Sequence, residues 1–209
     1  MPATSTTAQI EIVSPRRYTT ISVFVVCAFG VLLGIPLFIS VLAVSLIRPG
    51  ILTLVIPLLV IVATLYFLPF GLGNAYVAGL IRSLKPATDK NQEAFVVQLT
   101  LSPRIRSGLL AVVEDADDIG WLSFTASELL FHGDSVRLSV PFEQIKKVQR
   151  QNIGLRGLFV ISRIELVDPE LPKVKSLEFA ERSSWVLPTS RKITKKLYQQ
   201  LLERTQTAA

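Results

Sequence analysis

The chain has 209 residues, of which 50% are hydrophobic and 18% are charged, and its formal net charge is +6. This surplus is too weak to indicate a nucleic-acid partner, and the single cysteine excludes an intrachain disulfide or a site built from several thiolates. The hydrophobic excess lies almost entirely before residue 82. Residues 82–209 contain 19 Lys and Arg and 15 Asp and Glu. This segment is long enough to form one small domain.

Two long uncharged segments follow a polar stretch, 1–20, that we expect to be a disordered tail. No charged residue lies between Arg17 and Arg48, and none lies between Arg48 and Arg82. Each segment exceeds the ~20 apolar residues that cross a bilayer, and each is longer than the core of a signal peptide. The sequence therefore predicts a transmembrane helical hairpin over 21–81. Its predicted parts are spans at about 21–47 and 51–72 and an interfacial helix at 75–84.

Basic residues indicate how this hairpin would be oriented. Five of them flank its outer ends, at positions 16, 17, 82, 85 and 90, whereas Arg48 lies at the turn. By the positive-inside rule, both termini and the soluble domain that follows are predicted to be cytoplasmic. We therefore expect an integral membrane protein, which in a bacterium would lie in the inner, cytoplasmic membrane.

The predicted spans carry no ionisable side chain, which argues against a transport function of the chain alone. Gly30 and Gly34 form a GxxxG pattern, which allows two helices to approach closely. We expect this pattern to pack the two helices of the hairpin together, with self-association through the transmembrane helices as the alternative. Cys27 is expected to be a packing residue in the same helix.

Short alternating segments replace the apolar runs after a polar linker, 85–93. Val136, Leu138 and Val140 alternate with polar neighbours after the turn-forming sequence His132-Gly133-Asp134. Alternation with a period of two residues indicates strands with one buried face. Strands are predicted at 95–101, 121–125, 128–131, 135–140, 158–167 and 175–179, with a turn and a short strand within 142–148.

A helix is predicted at the C-terminal end of the sequence. The run Pro188-Thr189-Ser190 is a helix-start signal, with Thr189 or Ser190 as the N-cap. Ile193, Leu197 and Leu201 recur every four residues. They would form an apolar stripe that packs on the sheet, while the basic residues of this helix lie off the stripe.

Several short strands followed by one amphipathic helix resemble the pleckstrin-homology (PH) superfold, and its GRAM-like bacterial branch in particular. The resemblance rests on the segments WLSFTASELLFHGDSVRLSVPFEQIKKV, KSLEFAERSSW and LPTSRKITKKLYQQLLER, and it covers roughly 94–204. The predicted fold class is thus a membrane α-helical hairpin joined to an α+β domain over 94–206. That domain would be a PH-like or GRAM-like, partly open β-barrel or sandwich capped by its C-terminal helix.

The resemblance implies a domain that is not an enzyme and that binds lipid headgroups or a protein partner. In phosphoinositide-binding relatives, basic residues in the loop after the first strand hold the headgroup, and this loop carries Arg104 and Arg106 here. Other basic residues would face the anionic lipids of an inner leaflet. The predicted headgroup ligands are Arg104, Arg106, Lys146, Lys147, Arg191, Lys192, Lys195 and Lys196.

No catalytic, metal or cofactor site is predicted. His132, Asp134 and Ser135 are suitable residue types for hydrolysis, but they fall on one tight turn and cannot converge as a triad does. The acidic run 114–118 fails as a calcium loop, because Ile119 and Ala126 occupy ligand positions, so we expect a solvated loop.

The predicted function is that of a membrane-anchored interaction module that binds lipid headgroups or a protein. The alternative is an accessory subunit of a membrane transport or envelope-assembly complex. A membrane enzyme with an unrecognised site is the third hypothesis, and it depends on His132.

Overall fold

Eight antiparallel strands dominate the computed structural model, which describes residues 7–13, 20–47, 50, 55–56, 58–59, 73–84, 93–105, 116–153, 161–167, 169–171 and 173–208. The strands are β1 (Gln9–Ile12), β2 (Ala94–Ser102), β3 (Asp118–Phe124), β4 (Glu128–Gly133), β5 (Val136–Pro141), β6 (Lys147–Ile153), β7 (Ile161–Val167) and β8 (Ser176–Glu181). The helices are α1 (Thr20–Ile47), α2 (Gly73–Ile81) and α3 (Leu187–Ala208), and 3₁₀ turns cover Arg82–Leu84 and Phe142–Gln144.

The strands are hydrogen-bonded in the order β1-β5-β4-β3-β2-β8-β7-β6. Strand β2 is the junction of the sheet, because it pairs Leu99 with Asp118 of β3 on one edge and with Phe179 of β8 on the other. Strands β2 to β5 and strands β6 to β8 are each consecutive neighbours. Two meanders therefore meet at β2.

One hydrophobic core lies on the inner face of both meanders. Val97 and Leu99 of β2, Leu129 of β4 and Ile164 of β7 are all fully buried in it. β4 and β7 lie on opposite sides of β2 in the strand order. The sheet must therefore curve, so that side chains from distant strands meet in the same core.

Helix α3 completes this core. Leu197 and Leu201 are buried among the core side chains, as the predicted apolar stripe requires. Further along the helix, the guanidinium of Arg204 lies 5.4 Å from the ring centroid of Phe124 and 5.9 Å from that of Phe142. The helix is therefore fixed by apolar burial along its length and by a cation–π contact near its end.

Helix α2 covers part of the opposite, outer face of the sheet. Val77 and Ile81 pack against Val96 of β2 and Ile119 of β3 in a second apolar cluster. The indole nitrogen of Trp121 donates a hydrogen bond of 2.8 Å to the carbonyl of Ile81. The segment predicted as an interfacial helix is thus helical, but its apolar side chains are buried against the sheet.

A buried polar network also holds α2 in place. The Asn74 side chain is fully buried, and its amide nitrogen donates to the carbonyl of Ser184 at 2.6 Å. Arg182 donates to the Asn74 side-chain oxygen at 3.3 Å and to the Gln98 side-chain oxygen at 2.7 Å. These bonds satisfy polar groups that would be costly to bury alone, and they tie α2 to β2 and to the turn after β8.

Strand β1 forms within the segment that the sequence predicts to be a disordered tail. It pairs antiparallel to β5, from Gln9 opposite Ser139 to Ile12 opposite Val136. The amide of the buried Ala8 also donates a hydrogen bond of 2.8 Å to the side chain of Gln144. A strand of four residues gives only two repeats of the alternating pattern, which is too short to recognise in the sequence.

The predicted transmembrane hairpin is contradicted. Among the described residues, no helix is both long enough and apolar enough to cross a membrane. Apart from four residues between 55 and 59, the second predicted span lies outside the described residues.

The predicted fold class is therefore wrong, because it placed a membrane hairpin at the centre of the architecture. Where described, the chain is mainly an eight-stranded antiparallel sheet with three helices. The predicted localisation as an integral membrane protein is contradicted by the same finding on the helices. The first uncharged segment does locate a helix, because the predicted span 21–47 coincides with α1.

Candidate functional site

Two buried carboxylates organise one end of the sheet. Asp117 is 1% exposed and Asp118 is fully buried. The Asp117 carboxylate accepts hydrogen bonds from the backbone amides of Leu101, at 2.8 Å, and Ile105, at 3.1 Å. The chain that leaves β2 is thereby held against the start of β3.

Asp118 makes the equivalent connection to the turn between β4 and β5. Its carboxylate accepts hydrogen bonds from the amides of Ser135, at 3.0 Å, and Val136, at 2.7 Å. A Cβ atom at Gly133 would lie 2.0 Å from this carboxylate, so only glycine leaves room for the contact. One charged side chain therefore fixes the position of a neighbouring turn.

These contacts correct the expectation of a solvated acidic loop. Asp117 and Asp118 are buried and bind backbone amides, whereas Glu114 and Asp115 lie outside the described residues. Within the described ranges, no group of three or more His, Cys, Asp or Glu residues could hold a metal ion.

A third connection, between β7 and β8, reaches the same end of the sheet. The amide of Lys175 donates a hydrogen bond of 2.6 Å to the carbonyl of Ser102, where β2 ends. Glu170 and Lys173 adopt positive φ angles of 53° and 65°, which form the tight bends of this connection. We call residues 102–105, 116–118, 133–136, 146–147, 169–171 and 173–175 together the loop end.

Exposed basic side chains surround the loop end. Arg104 follows β2, and Lys146 and Lys147 lie where β6 begins, next to the end of β7. The ammonium group of Lys146 lies 3.7 Å from the Glu170 carboxylate of the β7–β8 connection. The exposed basic residues at the loop end are Arg104, Lys146, Lys147, Lys173 and Lys175.

The structure divides the predicted headgroup ligands into two sets. Arg104, Lys146 and Lys147 lie at the loop end, whereas the four basic residues of α3 do not. Strand β8 starts at the loop end, where Ser176 pairs with Ser102, and it runs about 20 Å away before the chain enters α3. Arg106 lies outside the described residues, and Gly30 and Gly34 both lie in α1.

The basic residues of α3 are exposed on the helix surface. They are Arg191, Lys192, Lys195 and Lys196. Lys196 forms a hydrogen-bonded ion pair with Glu93, just before β2, and this bond lowers the pKa of the Glu93 carboxyl below its ordinary value of 4.5. The predicted ligands therefore form two separate basic surfaces, not one.

His132 lies in strand β4 and not on the tight turn that the sequence predicts for it. It pairs with Trp121 of β3 and with Arg137 of β5. Burial lowers the pKa of His132 below its ordinary value of 6.5, and the charge of Arg137 lowers it further. The neutral imidazole is therefore favoured, while Asp134 and Ser135 lie in the buried turn fixed by Asp118.

A shallow, open depression of about 400 Å³ lies at the C-terminal end of α3. Ala126, Glu203 and Arg204 are among the residues that line it. Arg204 donates a hydrogen bond of 2.6 Å to the carbonyl of Thr125, in addition to its contacts with two aromatic rings. Its guanidinium is thus engaged in holding α3 on the sheet, and the depression offers a ligand little specific chemistry.

Sequence reasoning missed Lys173 and Lys175 as members of a basic cluster, and it missed the buried roles of Asp117 and Asp118. A signal for the two aspartates is visible in the sequence, because Asp117 directly precedes strand β3 and Asp118 begins it, just before the apolar Ile119. Comparison with protein families, with characterised proteins and with solved structures finds no match to this chain. What the protein binds must therefore be inferred from its own residues.

Proposed function

We propose that the protein is a non-enzymatic binding module whose sheet domain holds an anionic, phosphate-bearing group at the loop end. The observation that carries the proposal is the gathering of five exposed cations, from three separate segments, around this end of the sheet. Phosphate oxygens accept several charge-assisted hydrogen bonds at once, and Arg104 could donate two of them from its planar guanidinium.

The buried carboxylates support this proposal by making the site rigid. Asp117 and Asp118 accept hydrogen bonds from backbone amides, which stabilise the buried carboxylates and hold the loops in place. Glu170 is exposed and offsets part of the charge of Lys146. The exposed charged side chains at the loop end are mostly basic, and loops held in this way lose little entropy on binding.

The resemblance to PH-like domains points to the same class of function. Strands β2 to β8 followed by α3 are the elements that such a domain would have, and relatives of this kind bind headgroups or protein partners. A lipid headgroup and a free phosphate compound share the required chemistry.

The test uses the full-length protein and dye-labelled inositol trisphosphate, with binding followed by fluorescence anisotropy at low and high salt. We expect salt-sensitive binding that falls at least tenfold in Lys173→Glu/Lys175→Glu. Arg82→Glu/Arg150→Glu, which changes the charge equally at exposed sites elsewhere, should bind within about twofold of the wild type. Equal losses in both variants, or no binding at all, would overturn the proposal.

Competition distinguishes the two sources of phosphate. Inorganic phosphate should displace the probe weakly. Vesicles of phosphatidylcholine that contain a phosphoinositide should displace it strongly if the ligand is a lipid headgroup, whereas pure phosphatidylcholine vesicles should not. Displacement by free phosphate alone would assign the site to a soluble phosphate compound.

A second candidate function is that of a subunit in a larger protein assembly. Its motivation is the apolar surface of α1, where Leu46 is 77% exposed and Ile47 is 78% exposed. Exposed apolar surface of this extent marks contact sites. Native mass spectrometry of the protein purified from its own cells should then show a stoichiometric partner, and a monomer without any partner would count against this candidate.

A further inference from the structure

The charge distribution of α3 opposes the dipole of the helix. A helix carries partial positive charge at its N-terminus, so acidic residues are favoured in the first turn and basic residues in the last. Helix α3 has no acidic residue in its first turn and no basic residue in its last turn. Arg191, Lys192, Lys195 and Lys196 instead lie within its first ten residues. Residues that depart from a local preference of this kind are often found at functional sites.

These cations form a continuous strip on the exposed side of the helix. The buried side of the same turns is occupied by Ser190, Thr194 and Leu197. From 188 to 199 the sequence contains no acidic residue. Glu93, from outside the helix, offsets the charge of Lys196. From Arg191 to Lys196 the strip therefore presents a net positive charge along about 8 Å of helix.

An exposed tryptophan precedes the helix that carries the strip. Trp185 is 60% exposed and lies two residues before the start of α3. The buried side chain of Glu181 accepts hydrogen bonds from the amide of Ser183, at 2.5 Å, and from the hydroxyl of Ser184, at 2.9 Å. The carbonyl of Ser184 accepts the bond from Asn74. The backbone before Trp185 is thus anchored, so the indole is presented from a fixed turn.

We propose that Trp185 and the basic strip of α3 form a docking surface for an acidic segment of a partner protein. Tryptophan is the residue type that most often dominates binding energy at protein interfaces, and it would contact an apolar side chain of the partner. The basic strip would pair with carboxylates on either side of that contact. At about 3.4 Å per residue, about 8 Å corresponds to about two or three extended residues, so the occupant is a short acidic stretch and not a broad surface.

The docking surface of Trp185 and α3 is distinct from the loop end, and its ligand differs in chemistry. Its ligand offers separated carboxylates around an apolar group, whereas the loop end gathers its cations around one compact anion. Failure of either proposal leaves the other intact, because different side chains carry them.

The test uses the full-length protein and a fluorescein-labelled peptide of sequence Glu-Glu-Leu-Glu-Glu, with Lys-Lys-Leu-Lys-Lys as the charge-reversed control. We expect salt-sensitive binding of the acidic peptide alone. Trp185→Ala should weaken it about fivefold or more, and Lys192→Glu/Lys195→Glu should weaken it at least tenfold. The exposed-site control Arg82→Glu/Arg150→Glu should stay within about twofold of the wild type.

Thermal unfolding of the same variants separates binding from folding. Because Lys192 and Lys195 are exposed and lie beyond the first turn of α3, Lys192→Glu/Lys195→Glu should leave the melting temperature unchanged while it weakens binding. A lowered melting temperature together with lost binding would mean that the strip is structural, and the proposal would fail. Preferential binding to phosphatidylserine vesicles over the peptide, blocked by the same two substitutions, would also overturn it in favour of a lipid surface.

Discussion

Asp118 shows how a single buried carboxylate can position a loop in this protein. Burial of a charged group is costly unless hydrogen bonds replace its water shell. Here the amides of Ser135 and Val136 supply them, at the turn where β4 passes into β5. The acidic run around this residue looks solvated in the sequence, because burial of a charge depends on donors that come from elsewhere in the chain.

We expect Asp118→Ala to lower the free energy of unfolding by about 2–4 kcal/mol, because two buried amides lose a charged acceptor. Urea unfolding measures the change, and hydrogen exchange at Ser135 and Val136 should accelerate more than exchange in β7. The matched control is Glu143→Ala, at an exposed site in the 3₁₀ turn before β6. Equal destabilisation by both substitutions would show that the turn does not depend on the carboxylate.

The pH dependence of stability should report on His132. Its pKa is lowered in the folded state, first by burial and then by Arg137, so the unfolded chain binds the proton more tightly. The contribution of this group is therefore fully present above its ordinary pKa of 6.5 and is lost as the pH falls below that value.

We expect the wild-type protein to lose more stability than His132→Gln between about pH 7.5 and about pH 5.5. Urea unfolding at the two pH values gives the comparison. Because the chain contains a single histidine, the difference between the two proteins can be assigned to this position. Equal losses of stability in the wild type and in His132→Gln would show that the imidazole is equally easy to protonate in the folded and unfolded states.

Among the secondary-structure elements, the β3–β4 pair has the tightest steric requirement. Gly120 and Gly133 face each other across these strands. A Cβ atom at Gly120 would lie 2.2 Å from the carbonyl oxygen of His132 and 2.4 Å from the Cα atom of Gly133. Both are backbone atoms, which no change of rotamer can move aside.

Gly120→Ala should therefore destabilise the protein by about 3 kcal/mol, near the upper end of the range for overpacking. Gly79→Ala is the matched control in α2, where a Cβ atom would meet nothing within 4 Å. We expect it to stabilise the protein by about 0.5–1 kcal/mol, since alanine has the higher helix propensity. Thermal unfolding of both variants tests this prediction, because the same substitution should lower the melting temperature at position 120 and raise it at position 79.

Most elements of the sheet can be predicted from periodicity alone. The predicted segments 95–101, 121–125 and 128–131 overlap β2, β3 and β4, and the later strands are found in the same way. Helix α3 was also predicted, although it begins at Leu187 and not at Ser190. Pro188 fits within the first turn because its missing amide is not needed there, so it does not mark the position before the helix.

At the scale of the whole molecule, sequence reasoning was wrong about the hairpin because it relied on composition without any knowledge of contacts. The segment predicted as an interfacial helix is apolar because it packs on Val96 and Ile119, a reason that appears only once the sheet is known. Part of the loop end was not predicted from the sequence for the same reason. Lys173 and Lys175 join Arg104 because β8 pairs with β2, and no local pattern reveals a pairing between strands so far apart.

The strand order has a consequence for synthesis of the protein. When β2 leaves the ribosome, its partner β3 follows soon, but the edge that receives β8 stays open until five further strands have been made. Strand β1 likewise has no partner until β5 appears. A nascent chain with an unpaired edge is prone to aggregate, so this protein should depend on chaperones during translation more than a helical protein of equal length would.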